Sequence, residues 1–247
     1  MLMAFETAAP ETPSRVDPND GLPRCSRRSG RYSRRWFAAT AAAVAVGIVI
    51  QLFVTADHTG GHFTNTASRV LNVFVFFTIQ SNLLVGATTL LLTIRLEQAS
   101  LAFRVFRLMG IVGITVTGIV YHVAIRAFLE LDSWALVADH LLHTVVPVLA
   151  IVGWVLYGPR RLTSPRVAKL TVLFPLVWFA FTLTRGAVID WYPYTFIDVN
   201  HLGYFKIAVN AMWIALLVFG LGAGATSFDG WRDRALRPGA PEPNADR

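Results

Sequence analysis

Six apolar runs, each long enough to cross a lipid bilayer as a helix, dominate this sequence. A hydrocarbon layer of about 30 Å requires about 20 helical residues. Runs of that length occur near residues 36–55, 70–94, 108–129, 136–157, 167–189 and 203–225. The chain is 54% hydrophobic and 15% charged, a composition typical of polytopic membrane proteins rather than of soluble domains. We therefore predict an all-α fold, a single bundle of six transmembrane helices joined by short loops.

The two ends of the chain differ in composition from the part between them. Residues 1–35 are rich in Pro, Arg, Ser and Asp, and neither they nor residues 226–247 contain enough large apolar groups to fold alone. We predict a disordered basic segment over 1–35, a transmembrane domain over 36–225 and a disordered tail over 226–247. The approach to the first run, "SRRWFAATAAAVAVGIVIQLFVTA", also resembles a twin-arginine export signal, so cleavage after it is an alternative.

The basic residues follow an alternating pattern along the chain. Of the 22 Lys and Arg residues, 18 lie before the first span, after the sixth, or in the connections between spans two and three and between spans four and five. By the positive-inside rule this pattern predicts that both termini are cytoplasmic. The net charge of +7 is thus a topology signal, and nucleic acid is not expected as a partner because no nucleic-acid-binding motif is present. The one cysteine, Cys25, excludes an intramolecular disulfide and a cysteine metal cluster.

Strongly polar side chains interrupt several of the apolar runs. In "FTIQSN", helical spacing puts Thr78, Ser81 and Asn82 on one face and Gln80 on another. A rise of about 1.5 Å per residue places Thr78 roughly 12 Å below the outer boundary of span two. Histidine, arginine and asparagine side chains on other spans fall at similar depths, and such groups normally face the bundle interior. The sequence therefore predicts a shared polar cavity with the candidate binding residues Ser81, Asn82, His122, Arg126, Asp139, His140, Arg185, Asp198 and Asn210.

The fourth span contains "DHLLHTVVP". His140 and His143 are three residues apart, which predicts a common helix face. Pro147 has no N–H to donate to the carbonyl of His143, so the helix is expected to be loosened at that histidine.

A threonine and a histidine at matching depths favour nucleophilic chemistry. Thr78 would be the nucleophile and His143 the general base. The residues available to orient the imidazole or to stabilise an oxyanion are Asp139, Asn82, His122 and the arginines, and the sequence does not choose among them. An alternative is a zinc site made by His122, His140, His143 and Asp139. The HExxH pattern is absent, and we predict no metal and no cofactor.

The motifs "FFTIQSNLL", "DHLLHTVVPVL", "GPRR" and "DWYPYTFIDVNHLGY" give the chain a family resemblance. Over residues 36–225 it resembles the bacterial branch of the androgen-induced family of six-helix membrane proteins. Animal members of that family are threonine hydrolases that act on fatty acid esters of hydroxy fatty acids, and the resemblance implies that their threonine and histidine correspond to Thr78 and His143. Where the animal proteins have Asn at the start of the histidine motif, this chain has Asp139.

Together these observations lead to one hypothesis and two alternatives. The resemblance implies an integral hydrolase of the bacterial cytoplasmic membrane that cleaves a lipid-like ester, with membrane lipids around it. The first alternative is a non-catalytic protein that binds or moves a small polar or amphiphilic ligand through the same cavity, and the second is a structural membrane scaffold, in which Ser, Thr and Asn only join helices. The loop "WYPYTFIDV" would be either a lid over the cavity or an interfacial aromatic belt.

Overall fold

The computed structural model describes residues 27–98, 100–158 and 162–235. These residues form helices and connecting turns and include no β-strand. Six of the helical segments in this part of the chain are long and apolar enough to cross a membrane, as the sequence predicts. Large apolar side chains such as Phe53, Val123 and Phe205 are exposed on the bundle surface, where lipid would surround them. The protein is a multi-pass membrane protein, and the described part of the chain is all-helical.

The helices have the following bounds. They are α1 (Arg27–Asp57), α2 (Thr66–Val73), α3 (Phe77–Ile94), α4 (Leu101–Val120), α5 (Ser133–His140), α6 (Val146–Tyr157), α7 (Pro165–Thr171), α8 (Leu173–Ile189) and α9 (Val199–Ala235). A π-helical turn, Tyr121–Ile125, and a 3-10 turn, Arg126–Phe128, extend α4. A second π turn, Leu141–Val145, joins α5 to α6.

Several predicted boundaries need correction. Residues 27–35 and 226–235, which the sequence assigned to disordered ends, belong to α1 and α9. Residues 1–26 and 236–247 lie outside the described residues. At the start of α4 the Ser100 hydroxyl accepts the N–H of Phe103 at 3.2 Å, and this cap begins the helix seven residues before the predicted start of the third span. Arg107 consequently lies inside the bundle, 3% exposed, with its guanidinium carbon 5.6 Å from the ring centre of Phe37.

The second span is interrupted, which the sequence did not predict. It starts not at residue 70 but at Phe77, because α2 ends at Val73 and the chain turns before α3 begins. The interruption frees backbone carbonyls that would be unsatisfied in lipid. Side chains satisfy two of them: Gln80 Nε2 donates to the carbonyl of Phe74 at 3.1 Å, and Trp178 Nε1 donates to that of Val75 at 2.8 Å. Gln80, which points away from the other polar residues of its segment, thus maintains the break.

The predicted loosening of the fourth span at His143 is confirmed. The chain widens into the π turn Leu141–Val145 immediately before Pro147, which is at the beginning of α6. Proline cannot donate to the carbonyl four residues earlier, and the π turn replaces the missing α-helical bond by pairing residues five apart.

Helix α4 is the most buried of the six spans and packs closely on α3. The short distance between α3 and α4 depends on two glycines of α4. A Cβ at Gly110 would lie 3.2 Å from the backbone nitrogen of Val85, and one at Gly113 would lie 2.8 Å from Ser81 Oγ. Buried Val85, Ile111 and Ile114 fill the contact between the two helices and belong to a core that α1 and α6 share. This packing fixes the position of α3 and therefore of Thr78.

Helices α8 and α9 form the less buried side of the bundle. Gly203 (φ 71°, ψ 159°) interrupts α9 after its first turn, in a conformation that suits glycine. The connection between α8 and α9 turns back over the bundle end through a 3-10 turn at Thr195–Ile197, where Ile197 is 1% exposed.

Removal of the Gln80 amide tests whether side chains maintain the break in the second span. Gln80→Leu is expected to lower the free energy of unfolding by ~1–3 kcal/mol, because the carbonyl of Phe74 loses its donor. The measurement is thermal unfolding of the purified protein in detergent micelles. Gln51→Leu is the matched control, because Gln51 donates to Thr55 within the unbroken helix α1. Equal stability of the two variants would contradict the role of Gln80.

Candidate functional site

Thr78 is the second residue of α3, so the interruption of the span places it on the first turn of a helix inside the bundle. The depth calculation, which assumed an unbroken span from residue 70, is wrong for this reason. The predicted contact with the fourth span is nevertheless present: Thr78 Oγ1 lies 3.3 Å from His143 Nε2. Thr78 is 8% exposed. A hydroxyl and an imidazole nitrogen are thus within hydrogen-bond reach in a mostly apolar setting.

The other ring nitrogen of His143 faces Asp139. Nδ1 lies 3.0 Å from Asp139 Oδ1 and 3.2 Å from the backbone carbonyl of the same residue. Residues four apart lie on the same face of a helix, which accounts for this pairing. His140, predicted to share the face of His143, is instead exposed. Asp139 is therefore the group that orients the imidazole, a choice the sequence left open.

Tyr121, which no sequence pattern singled out, completes this arrangement. Its hydroxyl donates to Asp139 Oδ2 at 2.5 Å, and its ring stacks on the imidazole of His143 with centroids 4.0 Å apart at 16°. Tyr121 opens the π turn that follows α4. It therefore holds both the carboxylate and the imidazole plane.

Tyr194, from the connection between α8 and α9, contacts the other side of Thr78. Its hydroxyl lies 3.3 Å from both Thr78 Oγ1 and the Thr78 backbone nitrogen. Burial raises the pKa of the Tyr194 phenol above its usual value, so it remains a hydrogen-bond donor well above neutral pH. The ring packs between Phe76 and Phe196 at centroid distances of 5.6 and 5.2 Å.

These contacts form one continuous chain of hydrogen bonds with a consistent direction. The Thr78 N–H donates to the Tyr194 hydroxyl oxygen, and that hydroxyl can donate to Thr78 Oγ1. The Thr78 hydroxyl can then donate to Nε2 of His143, whose Nδ1–H donates to Asp139. Tyr121 donates to the remaining carboxylate oxygen. We call Thr78, His143, Asp139, Tyr121 and Tyr194 the threonine cluster.

Two further predicted residues lie next to the threonine cluster. Asn82 is fully buried, and its Nδ2 donates to the carbonyls of Thr78 at 2.8 Å and Leu142 at 3.2 Å, which ties α3 to the second π turn. Ser81 is fully buried one turn after Thr78, against Gly113. Both residues support the position of Thr78 rather than line the space in front of it.

The remaining candidates do not meet at Thr78, and the prediction of one shared polar cavity is wrong for them. Their polar atoms contact other groups. His122 contacts Thr144 (3.1 Å), Arg126 donates to the carbonyl of Leu129 (3.1 Å), Arg185 donates to Asn72 (2.8 Å), Asp198 accepts the N–H of Asn200 (2.9 Å), and Asn210 donates to the carbonyl of Phe196 (2.7 Å).

The alternative zinc site does not assemble in the described part of the chain. There, no group of three or more His, Cys, Asp or Glu side chains is arranged to hold a metal ion. His122 contacts Thr144, His140 is exposed, and His143 pairs with Asp139.

A cavity of about 630 Å³ lies directly in front of the threonine cluster. Thr78, Tyr121 and Tyr194 line one end, and most of the remaining lining is apolar. Residues of α4, α8 and α9 line the cavity, and Leu176 of α8 and Met212 of α9 are about half exposed, which places its rim at these two helices. The cavity therefore opens sideways, toward the surface that lipid would cover.

Comparisons with protein families, with curated proteins and with solved structures find no match to this chain. The cluster and the cavity are therefore interpreted from their own geometry.

The donor order makes a prediction about the tautomer of His143. In its neutral form the imidazole is expected to carry its proton on Nδ1, because Asp139 accepts there. Nitrogen-15 NMR of histidine-labelled protein, with His143→Gln to assign the signal, measures this. Asp139→Asn is expected to move the proton to Nε2, because the amide can donate to Nδ1. Tyr121→Phe should keep the Nδ1–H form, and a wild-type ring protonated on Nε2 would contradict the proposed order.

Proposed function

We propose that this protein is an integral membrane hydrolase that cleaves a fatty acyl ester, with Thr78 as nucleophile and His143 as general base. One observation carries the proposal: a threonine hydroxyl lies 3.3 Å from an imidazole that a carboxylate orients, at the end of an apolar cavity. A threonine hydroxyl is a weak nucleophile unless a base takes its proton during attack. Structural hydrogen bonding between helices needs neither the oriented imidazole nor the open space in front of it.

The reaction would proceed through an acyl-threonine. Thr78 Oγ1 bonds to the ester carbonyl carbon while its proton moves to His143 Nε2, and the carbonyl π electrons move to the oxygen. When the carbonyl re-forms, the bond to the alcohol oxygen breaks and His143 returns the proton to that oxygen. Water then attacks the acyl-threonine with His143 again as base, which releases the fatty acid. Asp139 would stabilise the imidazolium in both halves of the reaction.

The size and lining of the cavity favour the acyl chain as the part of the substrate that the protein binds. Its volume of about 630 Å³ lies within the range of small-molecule sites, and its lining offers few polar contacts beyond the threonine cluster. Because the rim lies between α8 and α9, a substrate dissolved in the bilayer would reach Thr78 without passing through water. The family resemblance of the motifs around Thr78 and His143 points to the same reaction class.

The charge pattern supports an orientation with both termini in the cytoplasm, and the family resemblance points to the bacterial cytoplasmic membrane. Three arginines connect elements at one end of the bundle: Arg34 donates to the carbonyl of Thr93, Arg104 to that of Leu162 and Arg232 to that of Val155. The threonine cluster lies toward the other end. Under the positive-inside rule the cavity would then face the outer leaflet.

Ester hydrolysis by the purified protein tests this function. In liposomes of ether lipids, which offer no competing ester, wild type should hydrolyse 4-methylumbelliferyl palmitate. Thr78→Ala and His143→Ala should each lower kcat by about 10³-fold or more. Thr144→Ala is the matched control, because this threonine lies beside His143 in the chain but contacts His122, and it should retain most activity. Absent wild-type turnover, or turnover that survives both substitutions, would refute the proposal.

Narrowing the cavity tests whether it holds the acyl chain. Ala211 lines the cavity from α9, and Ala211→Phe should reduce kcat/KM for the palmitate ester about tenfold or more relative to the butyrate ester. Ala180→Phe is the matched control, since Ala180 is exposed on α8 and does not line the cavity. An unchanged ratio of long-chain to short-chain turnover in Ala211→Phe would place the acyl chain elsewhere.

The apolar lining of the cavity also favours a second candidate, a protein that binds an amphiphile without cleaving it. A binding protein needs the cavity but not the Nε2 contact to Thr78. Under this alternative, a fluorescent palmitoyl amide would bind to wild type and to Thr78→Ala with equal affinity, and neither protein would hydrolyse the palmitate ester.

A further inference from the structure

Tyr194 is the one side chain of the α8–α9 connection that reaches the nucleophile. Its hydroxyl is 3.3 Å from Thr78 Oγ1 and 3.3 Å from the Thr78 nitrogen, on a different element from His143. The proposed mechanism assigns proton transfer to His143 and orientation to Asp139 and Tyr121. It leaves the negative charge on the carbonyl oxygen without a partner.

We infer that the Tyr194 hydroxyl and the backbone N–H of Thr78 form the oxyanion site of this enzyme. The inference rests on the proposed function and extends it by assigning a catalytic residue to the loop "WYPYTFIDV". In the free protein the N–H donates to the phenol oxygen, and the phenol O–H can donate to Thr78 Oγ1. Both lie beside Thr78 Oγ1, the atom that attacks the ester.

The start of α3 makes the backbone group available. The first N–H groups of a helix have no acceptor within the helix, and Phe76 before it provides no side-chain cap. The positive end of the helix dipole adds to the attraction for a developing oxyanion. Because the span is interrupted at this point, an uncapped helix start lies inside the bundle next to the nucleophile.

The chemistry of attack makes the phenol available. Before attack, the Tyr194 hydroxyl can donate to Oγ1 of Thr78. When Oγ1 bonds to the carbonyl carbon, its electron density falls, and the negative charge appears on the former carbonyl oxygen, which is bonded to the same carbon. A small rotation of the O–H bond transfers the donated hydrogen bond to that oxygen, and no proton leaves the tyrosine. The phenol stabilises the oxyanion as a neutral donor, in a setting where such bonds are strong because water is excluded.

The fold holds Tyr194 in place through contacts outside the reacting centre. Asn210 donates to the carbonyl of Phe196 at 2.7 Å, and Asn200 donates to Asp190 at 2.7 Å, so both ends of the connection are tied to α9. Trp178, which caps the break before α3, lies 5.9 Å from the Tyr194 ring. Asn210, a predicted binding residue, thus acts on the site through the loop.

Tyr194→Phe tests the inference, because it removes the hydroxyl and keeps the ring packing. In the palmitate ester assay it is expected to lower kcat about 10²- to 10³-fold, with KM within about twofold of wild type. Tyr192→Phe is the matched control: Tyr192 lies two residues earlier, and its ring packs on Gly186 away from Thr78. Its kcat should stay within about twofold of wild type.

The outcomes separate this inference from the proposed function. If Thr78→Ala is inactive while Tyr194→Phe keeps wild-type kcat, the hydrolase stands and the oxyanion role is wrong. A purely structural role for the Tyr194 hydroxyl would instead raise KM or lower the unfolding temperature with kcat preserved, which also overturns the inference. A wild-type protein without esterase activity would remove both proposals.

Discussion

The break between α2 and α3 is the constraint on which the rest of the site depends. A helix interrupted within a membrane bundle leaves backbone groups that lipid cannot satisfy, so the protein must supply partners for them. Gln80 and Trp178 cap the two carbonyls at the break. Because of the break, a helix begins beside the cavity, and Thr78 lies on its first turn.

The π turn in the fourth span is the second irregular element that contributes to the site. His143 and Asp139 are four residues apart and therefore share a helix face, and the proline at 147 favours the widened turn that contains His143. The result is an Asp–His pair at 3.0 Å, braced by Tyr121 from a π turn on the neighbouring span. Two irregular turns from different helices thus meet around one imidazole, and π turns are frequent at functional sites in proteins.

The sequence predicted the helical class and the six spans, because hydropathy depends on local composition. It also predicted the contact between Thr78 and His143, although the depth argument behind that prediction assumed an unbroken second span. It could not predict the break before Phe77, since no proline or glycine marks it and the capping donors Gln80 and Trp178 come from different parts of the chain.

The depth argument brought too many residues to one site because depth fixes the height of a side chain in the membrane but not its direction around the helix. Arg185, at a suitable height, stacks on Phe63 and Trp191 instead. Tyr121 carried no signal except its position beside His122, and Tyr194 belonged to a loop whose aromatic residues fitted a lid or a belt equally well.

Mass-spectrometric mapping of the residue that a fluorophosphonate modifies tests the central claim most directly. The reagent reacts with a nucleophile that a neighbouring base activates, so wild-type protein should carry the phosphonyl adduct on the peptide that contains Thr78, and His143→Ala should carry none. An adduct on a different residue, or a wild-type Thr78 that stays unmodified, would contradict the account of an activated threonine at the start of α3.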